Sequence, residues 1–329
     1  MEKGRKWRVS VLTPVHGTPL PLLERAFRSL KAQSFGFSRI QWVLVLHNCA
    51  ESYRREVERL CRDCPNVRIH CANAEGTGVA YARNITLRLA EGEYIFFLDA
   101  DDEMKPACIE RVAGEMERSQ ASTAIFAAEV QKEGESSPYW TDAAPAEGGS
   151  HVFERGDPRI GRSMCISGMA LWARCYRQDF LAKEGLVFND GSRYGEDFLF
   201  NIAATAAARR VCVLPDFCGY TYYAGIGMTK ELKDYDGDPG IIFLRLYRYG
   251  KACGLDLSNV LWFWMAQFAG LHLFSNRPAE AKKRFAASIK PLVDALPPPS
   301  MERRAFQEKM SADCRFVRSS LALYCGGKS

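Results

Sequence analysis

The stretch GTGVAYARNITLRLAEGEYIFFLDADD, residues 76–102, decides the fold of this 329-residue chain. It comprises a glycine-containing loop, an amphipathic helix, a short turn and a buried strand, and it ends in the carboxylates of Asp99, Asp101 and Asp102. Like charges at this spacing repel, and a divalent cation that bridges carboxylates to phosphate commonly compensates for them. The stretch therefore predicts an α/β protein with a cation and phosphate site, although Asp101 and Asp102 also suit a turn-capping role.

The segments before this stretch alternate between strand and helix. An apolar run such as QWVLVL, residues 41–46, is typical of a strand covered on both faces of a parallel sheet. Ligands bind beyond the carboxyl ends of such strands, which is where the acidic cluster lies. Strands are predicted at 8–15, 41–46, 67–70, 94–98 and 123–130, and helices at 21–33, 52–64, 79–90 and 106–117.

Composition is that of an ordinary globular protein, with 47% hydrophobic residues, 25% charged residues and a net charge of +5. No apolar run reaches the ~18 residues of a membrane-spanning helix, and MEKGRKWRVSVLTPV is typical of a first strand, not of a signal peptide. No basic stripe with interleaved aromatic residues indicates a nucleic-acid partner. We expect a cytoplasmic protein, with the inner face of the membrane as an alternative location.

Twelve cysteines are scattered along the chain, and we expect reduced thiols. Cys61 and Cys64 form a CxxC pair on a predicted helix, but their spacing to other cysteines matches no common zinc finger. Simple thiols and a zinc site both remain open for this pair.

Three more features have both a structural and a functional interpretation. Glu196 and Asp197 open a predicted helix, where the helix dipole favours acidic residues whatever their role. Trp172 suits either stacking on a ligand or a place in the core. The glycines of residues 76–78 precede a helix and suit either anion binding or an ordinary loop.

Two segments lack a recognisable motif. Residues 132–150 are rich in Gly, Ser, Pro, Ala and Glu and predict an exposed loop. Residues 231–329 are predicted to be mostly helical and include the apolar run LWFWMAQFAGLHLF at 261–274. This run suits an oligomer interface, a membrane-surface patch or a helical core.

Five segments in order resemble the inverting glycosyltransferases of the family-2, GT-A type. They are VSVLTPV (9–15), LLERAFRSLKAQSF (22–35), ARN with YIFFLDADD (82–84 and 94–102), WARCYRQDFL (172–181) and GEDFLF (195–200). The resemblance covers residues 7–230. It implies a GT-A, Rossmann-like and mostly parallel sheet flanked by helices, forming a catalytic domain over 1–230, with a C-terminal helical region over 231–329.

The resemblance also implies roles at the site. Asp197 would be the general base, with Glu196 either orienting it or contacting the acceptor, and Trp172 would contact the acceptor. Asp101, together with Asp99, would hold Mn²⁺ or Mg²⁺. The implied donor-binding residues are Pro14, Val15, Asn48, Glu51, Arg83, Asp99 and Asp101.

The implied function is transfer of a sugar from a nucleotide-sugar donor to a glycan or lipid-linked glycan, in surface-polysaccharide assembly. A divalent metal would offset charge on the leaving diphosphate. Peripheral membrane contact and a homo-oligomer are compatible with this function.

The chain departs from the family pattern in two places. The acidic residues usual after the second strand are replaced by HNCAES, residues 47–52, so that His47 or Asn48 would meet the base and a uridine donor is in doubt. In the segment 220–229, which resembles the family's lid, Ala224 stands where a basic residue is usual, and no histidine is present to bind metal. These departures are also compatible with a catalytically degenerate binding or scaffolding protein. A sugar nucleotidylyltransferase is disfavoured because TPVHGTPLP, residues 13–21, lacks a Gly- and Arg-rich phosphate loop.

Overall fold

The computed structural model describes residues 6–74, 77–139, 149–157, 159–160, 170–190, 195–225, 238–274, 278–299, 311–312 and 314–321. The strands are β1 (Val9–Val15), β2 (Ile40–His47), β3 (Val67–Ala72), β4 (Tyr94–Phe97), β5 (Glu103–Met104), β6 (Thr123–Lys132), β7 (Glu135–Tyr139), β8 (His151–Glu154), β9 (Arg174–Arg177) and β10 (Arg210–Tyr223). The helices are α1 (Leu20–Lys31), α2 (Glu51–Leu60), α3 (Val79–Leu89), α4 (Cys108–Ser119), α5 (Gln178–Lys183), α6 (Glu196–Ala207), α7 (Asp238–Cys253), α8 (Ser258–Leu273) and α9 (Ala279–Ala295).

The strands form one mixed sheet in the order β3-β2-β1-β4-β9-β6-β10-β5, with β7 beside β6 and β8 beside β10. The β3, β2, β1 and β4 strands are mutually parallel, and so are β6 and β10. The β9 strand is antiparallel to both of its neighbours and joins the two parallel groups. The predicted parallel sheet of the N-terminal half is therefore confirmed, and the carboxyl ends of β1, β2 and β4 meet at one edge.

Helices cover both faces of the sheet, and β4 shows how the sequence achieves this. Tyr94 and Phe96 point into an apolar cluster with α1 and α4, whereas Ile95 and Phe97 point into a second cluster with α6 and α8. All four side chains are at most 1% exposed, so a strand without polar alternation is what two-sided burial requires. Burial of each contributes about 1.5–3 kcal/mol.

The apolar run in the C-terminal region is part of the second cluster. Trp262 is fully buried and Trp264 is 8% exposed, and the Trp264 ring packs edge-on against Phe198 of α6 at 5.0 Å between centroids. Packing of α8 against α6 within this cluster accounts for its apolar sequence. The helical-core interpretation explains α8, whereas an oligomer interface or membrane contact elsewhere in this region stays a prediction. No helix within the described residues is long and apolar enough to cross a membrane.

The prediction of a loop over residues 132–150 is wrong in its first part. Residues 135–139 form β7, which pairs antiparallel with β6 from Lys132↔Glu135 to Ala128↔Tyr139. Glu133 and Gly134 both have positive φ, at 54° and 89°, as in the two-residue turns whose twist matches a hairpin. Polar composition concealed a strand at the sheet margin, since the first four residues of β7 are all exposed. Residues 140–148 lie outside the described part.

Gly92 is required by close contact between the turn before β4 and the backbone of β1. A Cβ at this position would lie 2.5 Å from the carbonyl carbon of Val9 and closer still to the amide nitrogen of Ser10. Because both obstacles are backbone, Gly92→Ala is expected to lower the free energy of unfolding by about 1–3 kcal/mol. Gly114→Ala in the middle of α4 is the matched control, since its added Cβ meets nothing within 4 Å, and it should raise stability by about 0.5–1 kcal/mol. Urea titration of both variants measures the difference, and equal destabilisation would contradict the assignment.

Candidate active site

The predicted donor-side residues follow the ends of three adjacent strands. Pro14 and Val15 end β1, Asn48 follows β2, and Asp99 is the second residue after β4. These strands are parallel neighbours, so their carboxyl ends place the residues along one edge of the sheet. Val15 is fully buried and Pro14 is partly exposed.

The three carboxylates of the acidic cluster have different surroundings. Asp102 is only 1% exposed, and it accepts hydrogen bonds from the Tyr220 hydroxyl at 3.0 Å and the Tyr223 amide at 2.9 Å. Burial, followed by the charges of Asp99 and Asp101, raises its pKa to about 9. Asp102 thus ties the acidic loop to β10, while Asp99 and Asp101 remain partly exposed.

Asp101 lies beside a cation that the sequence did not single out. Burial, followed by the charge of Asp99, raises the pKa of Asp101 to about 6, and Arg25 opposes this shift. The Arg25 guanidinium donates to the Asp101 carbonyl oxygen and lies over the Tyr223 ring at 3.6 Å from its centroid. Arg25 therefore joins α1 to the acidic loop and to the end of β10.

Arg83 connects the two acidic features of the sequence. Its Nη1 donates to Glu196 Oε1 at 2.5 Å, and its Nη2 lies 3.5 Å from Asp99 Oδ1. The guanidinium side chain is 8% exposed, and its Nε has no hydrogen-bond partner among the described residues. Burial acts to lower the pKa of Arg83, but Glu196, Asp99 and Asp197 outweigh it and the pKa is raised. Arg83 is thus a buried permanent cation held between the carboxylates of Asp99 and Glu196.

Glu196 and Asp197 form the first turn of α6, as predicted. Gly195, which precedes them, has φ 74°, and a Cβ there would collide with the side chain of Ile242. Glu196 is 6% exposed and is paired with Arg83. Asp197 is partly exposed, and its Oδ1 accepts from the Phe198 amide at 2.7 Å.

The environment of Asp197 brings its pKa into the physiological range. Burial and then the neighbouring Glu196 carboxylate raise the pKa of Asp197 to about 7, while Arg83 partly offsets them. A carboxylate with a pKa near the working pH is well matched to accept a proton. The arrangement can therefore perform general-base chemistry beside a cation-compatible acidic loop.

Trp172 is 8% exposed and lies in an aromatic cluster. Its ring stacks on Tyr220 at 4.7 Å and on Tyr222 at 5.5 Å, and meets Tyr139 at 5.0 Å between centroids. These contacts satisfy the core interpretation of Trp172, and contact with the acceptor stays a prediction.

His47 and Asn48 occupy the end of β2, where the family's acidic residues are missing. His47 is 3% exposed and its Nε2 lies 2.9 Å from Thr77 Oγ1, while burial lowers the pKa of His47 and favours the neutral ring. Asn48 is exposed with φ 52°, and its Oδ1 accepts from the Ala74 amide at 3.0 Å. Both side chains hold the β2 end against the segment that follows β3.

Other predicted positions lie around this edge. Glu51 is the exposed first residue of α2 and its carboxylate lies 3.7 Å from Arg54. Of the predicted glycine loop, Thr77 and Gly78 precede α3, and Gly76 lies outside the described residues. Ala224 is described just beyond β10, whereas residues 226–229 of the lid-like segment lie outside the described part.

The residues at the end of β4 fit a divalent cation. Asp99 and Asp101 are close enough for the charge of Asp99 to raise the pKa of Asp101, a repulsion that a cation would relieve. Mg²⁺ and Mn²⁺ commonly bind one or two protein carboxylates together with substrate phosphates. Within the described residues, no group of three or more His, Cys, Asp or Glu side chains is arranged to hold a metal, so other ligands would come from phosphate or water.

The CxxC pair lies away from this edge. Cys61 is buried and Cys64 is partly exposed, and both are free thiols. Burial, followed by Cys64, raises the pKa of Cys61 to about 12. Within the described residues, no group of three or more His, Cys, Asp or Glu side chains supplies further zinc ligands beside this pair. The environment favours simple thiols.

Comparisons with known proteins agree with this geometry. Residues 10–174 match the profile of the family described as Glycosyl transferase family 2. The chain belongs to glycosyl transferase family 2. This family-2 glycosyltransferase is 27% identical to the uncharacterized glycosyltransferase EpsJ of Bacillus subtilis (strain 168) over 267 residues, which cover 76% of this chain and 73% of EpsJ.

A second relative is also known as a structure. The poly(ribitol-phosphate) beta-N-acetylglucosaminyltransferase TarS of Staphylococcus aureus (strain MW2) is 22% identical over 214 residues, covering 65% of this family-2 chain and 35% of TarS. The crystal structure of S. aureus TarS residues 1–349 with UDP-GlcNAc superposes with a TM-score of 0.74 at 18% identity, covering 97% of this chain and 92% of that one. The predicted GT-A architecture is confirmed by this match, and the family membership confirms a glycosyltransferase.

Proposed function

We propose that the chain is a metal-dependent, inverting glycosyltransferase that moves a sugar from a nucleotide-sugar donor to a glycan or lipid-linked glycan acceptor. The observation that carries the proposal is the buried Arg83, whose guanidinium lies 3.5 Å from Asp99 and 2.5 Å from Glu196. It links a cation-compatible acidic loop to the carboxylate pair that contains Asp197, whose pKa is raised to about 7. A donor diphosphate and an acceptor hydroxyl need these two kinds of group side by side.

The names of similar proteins support the substrate classes. Two crystal structures of TarS residues 1–349 are complexes, one with UDP-GlcNAc and one with UDP, which supports a nucleotide-sugar donor. TarS is named for transfer to poly(ribitol-phosphate), GgaB of B. subtilis for minor teichoic acid biosynthesis, and ExoO of Rhizobium meliloti for succinoglycan biosynthesis. We therefore propose an acceptor in cell-surface polysaccharide assembly, and a cytoplasmic site of action.

In the proposed reaction Asp197 accepts the proton of the acceptor hydroxyl as its oxygen attacks the anomeric carbon. The bond from that carbon to the diphosphate oxygen breaks on the opposite face, so the configuration inverts and the nucleoside diphosphate leaves with the electron pair. Asp99 and Asp101 would hold a divalent cation, which when bound offsets charge on that diphosphate. Arg83 keeps Glu196 paired and lowers the proton affinity of Asp197.

Stereochemistry tests the reaction class without a known acceptor. The chain is incubated with Mn²⁺ and UDP-GlcNAc, an α-linked donor, and the first anomer of any sugar released to water is recorded by proton NMR. Inversion predicts the β-anomer, and a matched sample without the protein controls for spontaneous hydrolysis. The α-anomer would contradict an inverting mechanism, and nucleotide binding without any turnover would favour the catalytically degenerate alternative.

A further inference from the structure

A groove of about 380 Å³ lies on the β6–β7 hairpin, opposite the irregular part of β10. The register of β10 against β6 shifts between Leu214 and Cys218, so Pro215 and Asp216 leave the ladder and form one wall. Ser136, Ser137 and Pro138 of β7 form the other wall. The volume is within the range of small-molecule sites.

The lining offers hydrogen bonds to hydroxyl groups. Ser136 and Ser137 carry hydroxyls that both donate and accept, and Glu129 and Asp216 carry carboxylates with several acceptor positions each. Asp216 Oδ2 accepts from the Gly149 amide at 2.9 Å, which leaves further lone pairs on this carboxylate. Glu129 already accepts from Ser136, Lys105 and Thr221, so Asp216 is the carboxylate with more room for a ligand. Apolar faces of Pro138 and Pro215 lie among these groups, which suits the mixed polar and apolar faces of a sugar ring.

The charge of the groove disfavours an anionic ligand. No lysine or arginine is among the described residues that line it, whereas Glu129 and Asp216 are. Lys105, which does not line the groove, has its ammonium bound to Glu129, and this hydrogen bond lowers the pKa of the Glu129 carboxyl and keeps it ionised. A phosphate would meet two carboxylates without a free cationic partner.

Tyr139 connects the groove to the acceptor side of the proposed active site. It lines the groove, and its ring meets Trp172 at 5.0 Å between centroids. The Asp197 charge also acts on Tyr139. Burial, followed by the charge of Asp197, raises the pKa of the Tyr139 hydroxyl to about 12. Tyr139 would therefore lie between a ligand in the groove and the residues around Asp197, the proposed base.

We propose that this groove is an acceptor subsite for an uncharged, hydroxyl-rich glycan residue, and that it selects against phosphate-bearing chains. The inference rests on the proposed function and narrows its acceptor class. It separates this chain from TarS, which is named for a poly(ribitol-phosphate) acceptor.

Saturation-transfer NMR on the full chain tests the proposal with maltotriose, cellotriose and chitotriose as neutral probes and ribitol 5-phosphate as the anionic probe. We expect at least one trisaccharide to bind more tightly than ribitol 5-phosphate. Ser137→Trp, which fills the groove from an exposed position, should weaken that binding about tenfold or more. Glu135→Trp is the matched control, because Glu135 lies on the same strand and does not line the groove.

Asp216→Lys provides a second variant, which should move the preference towards ribitol 5-phosphate. Tighter binding of ribitol 5-phosphate by the unaltered chain, no binding of any trisaccharide, or binding unaffected by Ser137→Trp would overturn the proposal. UDP with Mn²⁺ is titrated into the same variants. If a variant loses trisaccharide binding but keeps nucleotide binding, the effect belongs to the groove and the donor site is intact.

Discussion

Asp197→Asn is expected to lower the glycosyl-transfer rate by about 10²–10⁴-fold, because the amide cannot accept the acceptor's proton. The unaltered chain should lose activity as the pH falls below about 7, the value to which burial and Glu196 raise the pKa of Asp197. Initial rates of donor turnover across pH 5–9 measure both effects. The asparagine variant should retain nucleotide binding, since Asp197 acts on the acceptor side.

Stability separates this catalytic effect from misfolding. A raised pKa means that the folded chain holds the Asp197 proton more tightly than the unfolded chain does, so ionisation between about pH 4 and 7 costs folded-state stability. Asp197→Asn removes that cost and should melt at the same or a higher temperature at pH 8. Asp179→Asn is the matched control, since Asp179 also accepts from the next amide, at 2.8 Å, in a helix first turn. Equal activity in the two variants would rule out Asp197 as the base.

Arg83→Met should destabilise the chain by about 3–5 kcal/mol, because it leaves the buried Glu196 carboxylate without its cation. The same change should raise the pKa of Asp197 and move the acidic limb of the rate profile to higher pH, since Arg83 holds that pKa down. Urea unfolding and the pH profile of donor turnover are the two readouts.

The double variant Arg83→Met/Glu196→Gln provides the control for this ion pair. It removes both charges, so much of the lost stability should return. Arg83→Lys should give an intermediate result, because one ammonium cannot reproduce the fork between two carboxylates. A single Arg83→Met variant as stable as the unaltered chain would contradict a structural role for the pair.

Local features of the fold were predictable from the sequence. The apolar β4 and the carboxylates after it follow from a strand buried on both faces that ends at a ligand edge. The β10 strand was not predicted because Pro215 and Gly219 interrupt its apolar pattern. The same two residues mark the irregular stretch of its pairing with β6.

Long-range partners of the site residues were not predictable. Arg83 and Glu196 are 113 positions apart, and Asp102 and Tyr220 are 118 apart, so no local pattern joins them. From its place in the sequence, Asp102 was therefore grouped with Asp101 in one acidic cluster, whereas in the folded chain the Asp102 side chain points inward. The only local signal for Arg83 was its place one turn into a helix that follows a glycine loop.

Thermal-shift titration with UDP, GDP, CDP and dTDP, each with and without Mn²⁺, tests the donor site most directly. We predict a rise in melting temperature with one nucleotide that requires Mn²⁺, because selective binding stabilises the folded state by about 2.7 kcal/mol at a hundredfold excess over Kd. Asp101→Ala should abolish the rise, and Asp63→Ala, which removes an exposed carboxylate in the turn before β3, should leave it intact. No rise with any nucleotide, or a rise that persists in Asp101→Ala, would contradict a metal-dependent donor site at the end of β4.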